Sequence, residues 1–107
     1  MEEITLLNAY NFEINEKLSD LKTNLSKEMG HTWVSGHKEE TGDYISVVNK
    51  TTGSVIRIFE NNKNMYTFDI INRKGKARNE FNSEQDQFIG ILNKIGAKNI
   101  SSSEDMY

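Results

Sequence analysis

The chain has 107 residues, a formal net charge of −3 and no cysteine. Its length holds one domain with a single modest core, and 36% hydrophobic against 27% charged residues is too apolar for a disordered chain. Lack of cysteine excludes disulfides, thiol catalysis and thiolate metal sites, and the acidic balance sets up no global field for a nucleic acid or an acidic membrane.

The opening MEEITLLNAY begins with two acids after Met1 and contains no apolar run as long as a signal peptide or a membrane span. The expected location is the cytoplasm. Asn, Lys and Ile are abundant and Pro is absent, a bias associated with AT-rich coding sequence and so with low-GC bacteria, their phages and plasmids. Charge is unevenly placed. Residues 1–30 carry six acids and three bases, residues 31–79 five and eight, and residues 80–107 five and two.

Leu7, Tyr10, Ile14, Leu18, Leu21, Leu25 and Met29 recur at steps of three or four, which predicts one amphipathic helix stopped by Gly30. Such a helix is about 35 Å long, against a radius of gyration of about 13 Å for a domain of this size. It therefore crosses the whole sheet, breaks near Asn11 or runs beyond the domain; packing of most of the stripe on the core is the expectation.

Four strands are expected next: Thr32–His37, weakened by Gly36, then Tyr44–Asn49, Ser54–Glu60 and Met65–Ile71. KTTG (Lys50–Gly53) and Asn62–Asn64 supply hairpin turns. Asn82 and Ser83 read as helix caps, Asn82 and Gln85 have capping-box spacing, and Gly96 closes that helix. SSSEDMY, residues 101–107, reads as a polar, disordered tail after a single domain over residues 1–100. The expected fold class is α+β: a four-stranded antiparallel meander with a long N-terminal and a C-terminal helix, in the order α-β-β-β-β-α.

Setting Ile58 opposite Phe68 and Val47 opposite Ile56 registers the sheet. One face then collects Ile45, Val47, Ile56, Ile58, Tyr66, Phe68 and Ile70, a core face on which Leu21 and Leu92 are expected to pack. The other collects Tyr44, Val48, Val55, Phe59 and Ile71, divided by Ser46, Arg57 and Asp69. An antiparallel sheet usually hides one face and wets the other, so apolar residues on both need a reason. The expected one is a helix on each side, with Arg57–Asp69 a partly covered ion pair whose loss costs about 3–5 kcal/mol. The alternative puts both helices on the first face and makes Tyr44, Arg57, Phe59 and Asp69 a partner or dimer surface, since aromatics around an arginine suit interface centres.

No catalytic residue, metal site or cofactor is expected. His31 and His37 share a strand face but lie about 20 Å apart, too far for one ion. No nucleophile elbow or phosphate loop is present, and the paired acids Glu39–Glu40 and Glu104–Asp105 sit in polar sequence. One charge cluster has functional flavour: Arg73, Lys74, Lys76 and Arg78 in NRKGKAR are placed to hold phosphates, with Tyr44, Phe59 and Tyr66 offering stacking faces. Four strands, YTFDI, a basic loop and a helix, over roughly Thr32 to Ile95, are similar in order to the positive-cofactor type of single-stranded DNA-binding fold. That resemblance implies a nucleic-acid role for the loop; the extra N-terminal helix and the acidic chain depart from it.

The expected function is therefore a small non-enzymatic binding protein, monomer or homodimer. It would be an antagonist of a protein or ribonucleoprotein partner, in the manner of phage or mobile-element inhibitors such as anti-CRISPR proteins, or of toxin-immunity proteins. The alternative is a single-stranded nucleic-acid-binding module built on residues 72–78 and the sheet aromatics. No membrane partner is expected.

Overall fold

The structure, a computed structural model, describes residues 6–40, 42–73 and 77–102. Its elements are β1 (Leu6–Glu13), α1 (Leu18–Met29), β2 (Val34–Lys38), β3 (Gly42–Val48), β4 (Val55–Asn62), β5 (Met65–Asn72), α2 (Arg78–Lys94) and β6 (Lys98–Ser102). The strands form one sheet in the order β2-β3-β4-β5-β1-β6, every neighbouring pair antiparallel. The α+β class holds, but the sheet has six strands and the chain does not follow the α-β-β-β-β-α order. Over residues 34–94 the order of four strands followed by a helix is as expected; the strands that enlarge the sheet, β1 and β6, lie outside the stretch to which the likeness in order applies.

The middle of the sheet follows the alternation of its side chains. Ile58 stands opposite Phe68 and Val47 opposite Ile56. The expected N-terminal helix is instead a strand followed by a shorter helix. Leu7, Tyr10 and Ile14 satisfy a helical spacing by coincidence; in β1 the period is two, with Tyr10 opposite Phe68 and Phe12 opposite Tyr66. Leu18, Leu21, Leu25 and Met29 keep the helical stripe, and Gly30 ends it at φ 69°, donating its N–H to the Ser26 carbonyl at 3.0 Å. At the other end, Ser101 and Ser102 belong to β6, where they pair with Asn11 and Tyr10 of β1; residues 103–107 of the expected tail lie outside the described residues.

Helix α2 starts at Arg78, four residues before the expected cap, so Asn82 and Ser83 are exposed positions within it. Gln85 is no capping residue. It is buried, donates to the Tyr10 hydroxyl at 2.8 Å and accepts from the Asn8 amide.

Both helices lie on the same face. Phe81, Phe88 and Leu92 of α2 and Leu21 and Leu25 of α1 join Ile45, Ile56, Ile58, Tyr66, Phe68 and Ile70 in one buried cluster. Phe88 meets Phe68 edge-on at 4.9 Å, Tyr10 stacks on Phe68 at 5.3 Å, and Trp33, in the link from α1 to β2, stacks on Phe88 at 5.9 Å. Lys94 of α2 reaches Glu28 of α1 at 2.8 Å. The expectation of one helix on each side is thus overturned: the stripes of α1 and α2 are spent on one face, and the linked aromatics Tyr10, Phe68, Phe88 and Trp33 hold them there. The molecule has a radius of gyration of 13.4 Å, and among the described residues no helix is long and apolar enough to cross a membrane.

Phe68 is fully buried at the centre of this cluster. Replacing Phe68 with Ala is expected to lower the unfolding free energy by about 3–5 kcal/mol, measured by urea denaturation. A loss under about 1 kcal/mol would mean that the core lies elsewhere.

Candidate interaction surface

The face opposite the helices is built from three cross-strand rows. The first is apolar: Val48, Val55, Ile71 and Leu7 stand side by side across β3, β4, β5 and β1. The second runs Val34, Ser46, Arg57, Asp69 and Ala9, and the third Gly36, Tyr44, Phe59, Thr67 and Asn11. Among the described residues neither helix contributes to these rows; Val34 and Val48 are more than half exposed, at 55% and 53%, whereas Ala9, Thr67 and Asp69, toward β5 and β1, are buried.

The centre is a bidentate ion pair. Arg57 donates from Nε to Asp69 Oδ1 at 2.9 Å and from Nη2 to Oδ2 at 2.6 Å. Asp69 is buried, with 3% of its side chain exposed, while Arg57 keeps 28%. The fork holds the guanidinium plane in place, and that plane lies 5.2 Å from the centre of the Phe59 ring. Phe59 in turn touches Tyr44, with ring centroids 5.5 Å apart.

Tyr44 lies across Gly36 of the neighbouring strand: a Cβ at residue 36 would sit 2.4 Å from the Tyr44 ring. The missing side chain at Gly36 is therefore what lets the tyrosine lie flat. The amide of Asn61 donates to Thr67 Oγ1 at 2.6 Å and Thr67 donates to Asn11 at 2.7 Å, closing the third row.

All four residues expected on this face, Tyr44, Arg57, Phe59 and Asp69, are thus brought together. Leu7, Ala9, Asn11, Val34, Gly36 and Thr67 also belong to it and are absent from the expected face. The helical spacing that starts at Leu7 hides Leu7, Ala9 and Asn11, and Val34 and Gly36 sit in the weakest strand.

The basic segment is divided. Arg73 follows β5 and is exposed, Arg78 opens α2, and Lys74 and Lys76 lie outside the described residues. Arg73 also lines a hollow of about 220 Å³ with Gly53, Val55, Arg57 and Ile71, at the apolar-row end of the open face.

Several polar groups elsewhere are tied up structurally. Glu84 accepts from the hydroxyls of Thr52 (2.7 Å) and Ser54 (2.5 Å) and from the Asn49 amide (3.2 Å), pinning α2 to the β3–β4 turn. His37 Nδ1 stands 2.7 Å from Asp43 as an exposed cross-strand pair. Among the described residues no three histidine, aspartate or glutamate side chains gather closely enough to hold a metal ion. Tyr66, whose hydroxyl donates to the Glu16 carbonyl at 2.6 Å, is pushed up to about 12 by burial and by the Glu60 carboxylate. It stays neutral at physiological pH and is no base.

No protein-family model matches the sequence, and no curated protein matches it either.

Two stability experiments follow from this geometry. Changing Arg57 to Ala leaves the buried Asp69 carboxylate without its fork and is expected to cost about 1–3 kcal/mol. That is less than a fully covered pair would lose, and most of it should return in the Arg57→Ala/Asp69→Ala double variant. A single variant as stable as the wild type would contradict the pair's role. For Tyr66, an unfolded tyrosine ionises near its ordinary 10.0 and the folded one near 12. The stability that Tyr66 contributes is therefore fully present below pH 10 and is lost as pH rises through 10–12. Tyr66→Phe should show a shallower alkaline loss in that window, read from melting midpoints; equal slopes would overturn the assignment.

Proposed function

We propose that this chain is a small non-enzymatic binding protein that antagonises a macromolecular partner by laying its helix-free sheet face against it. The observation that carries the reading is the sorting of elements: six strands have both helices on one side, and the other side presents an apolar row, a central arginine and an aromatic row. With strands about 4.8 Å apart and about 3.4 Å per residue, the five strands crossed by these rows cover on the order of 600 Å², and with Ala9, Thr67 and Asp69 already buried the available area is at the small end of the roughly 800 Å² each partner contributes to a standard interface. An arginine flanked by aromatics at the centre is the composition interface centres favour.

Occupancy alone suffices for an antagonist, so the reading needs no cofactor and no catalytic group. Phage and mobile-element inhibitors, anti-CRISPR proteins among them, and toxin-immunity proteins act this way. The chain's small size and its low-GC composition fit that class, with a protein or ribonucleoprotein as the partner. The second reading, a single-stranded nucleic-acid module using Arg73, Lys74, Lys76 and Arg78, is less well served. Tyr44 lies against Gly36 and Phe59 under the Arg57 guanidinium, so neither ring is an open platform for successive bases.

Val34→Asp and Val48→Asp, both at exposed apolar positions of the open face, separate folding from binding. Each should change stability by no more than about 0.5 kcal/mol, and together they should weaken capture of the native partner at least tenfold in quantitative pull-downs from the source cells. Undiminished capture would contradict the surface. Single-stranded DNA or RNA should bind no tighter than the non-specific range of about 10⁻⁴–10⁻⁶ M; tighter binding that collapses with added salt would favour the second reading.

A further inference from the structure

We infer that the hollow formed by Gly53, Val55, Arg57, Ile71 and Arg73 is the anchor point of this face, and that it receives one apolar side chain of a partner peptide carrying a carboxylate beside it. The inference rests on the reading of the open sheet face as a recognition surface and gives that surface a partner chemistry.

Size argues first. The hollow measures about 220 Å³, below the range of about 300–1,000 Å³ for pockets that enclose whole small molecules, so a single side chain suits it better than a free metabolite. Chemistry argues second. The hollow is lined by Gly53, two apolar side chains, Val55 and Ile71, and two arginines, Arg57 and Arg73. Asp69 neutralises the first of these, Arg57, through both carboxylate oxygens. Arg73 is exposed and makes no ion pair among the described residues, so among them it is the cation of this corner left to meet an anion. A hollow lined by valine, isoleucine and the exposed Arg73 complements an apolar side chain next to an acid, with the arginine fork able to take the carboxylate in two bonds.

Position argues third. The hollow continues the row Val48, Val55, Ile71 and Leu7, so a peptide anchored there runs on over exposed apolar surface. A nucleic acid fits less well, since the corner contains no aromatic ring for a base to stack on and the whole chain is acidic.

The test is a selection of random twelve-residue peptides displayed on phage against the purified full chain. Selected peptides should carry Asp or Glu within two residues of a large apolar residue. Free peptide should shift the amide resonances of Gly53, Val55 and Ile71. Affinity should fall at least tenfold for Arg73→Glu, which reverses the charge at an exposed position, and for Val55→Phe, which fills the hollow. Peptides lacking acids, equal affinity for both variants, tighter binding of oligo(dT) at the same resonances, or concentration-dependent shifts there without peptide, the mark of a second copy, would each overturn the inference. Peptides that instead shift Val34, Val48 and Phe59 overturn the corner while leaving the open face a recognition surface. A selection that yields no peptide overturns the corner, and the partner pull-down then decides on the face separately.

Discussion

The linked aromatics Tyr10, Phe68, Phe88 and Trp33 decide which side of the sheet is inside. Phe68 comes from β5, Tyr10 from β1 and Phe88 from α2, and Trp33 lies where the chain leaves α1 for β2. One set of ring contacts thus fixes two strands, a helix and the link between a helix and a strand on a common face. Each ring buries a large apolar area and prefers the offset or edge-on geometry seen here. With those contacts made, α1 lies on the same face as α2. Its last turn is held to α2 by Glu28–Lys94, and the Trp33 backbone N–H donates to Ser26 Oγ at 3.1 Å.

The opposite face inherits what the helices do not cover. An open apolar sheet invites unwanted association, and the Arg57–Asp69 pair tempers it. Between the apolar and aromatic rows it places an arginine paired with a carboxylate, so under the proposed reading a partner would desolvate an arginine already committed to a carboxylate. Pairs of this kind add little net stability and restrict which surfaces can dock. The sheet edges are guarded separately, by β2 with its glycine and Lys38 and by the five-residue, mostly exposed β6.

The β3-β4-β5 meander was legible in the sequence because β-branched and aromatic residues alternate there without interruption, and the register of Arg57 with Asp69 follows from two hydrophobic pairings. Strand β1 was not legible. Its buried side reads Leu6, Asn8, Tyr10, Phe12, and the buried-side asparagine breaks the alternation, while Leu7 and Ala9 supply apolar residues on the other side. Asn8 is tolerated because it donates to Gln85 of α2, a partner 77 positions away that no local pattern reveals. Strand β6 offers Ile100 as its one large apolar residue and relies on backbone pairing with β1. The helix stripes show that each helix packs on something; they do not say which face, and with apolar residues on both faces the alternation could not choose.

The central claim is that both helices pack on one sheet face and leave the β2–β3 side of the other, with Val34 and Val48, exposed; recognition by that face is the proposal built on it. The most direct measurement is solvent paramagnetic relaxation of side-chain resonances by a soluble gadolinium chelate, with the buried Ile56 and Ile58 methyls as internal reference. The account predicts strong relaxation at Val34 and Val48 and intermediate relaxation at Val55, Phe59 and Ile71 in the free protein, all of it quenched when the native partner binds. Relaxation of these five as weak as that of Ile56 and Ile58 in the free chain, or unchanged relaxation in the complex, would contradict it.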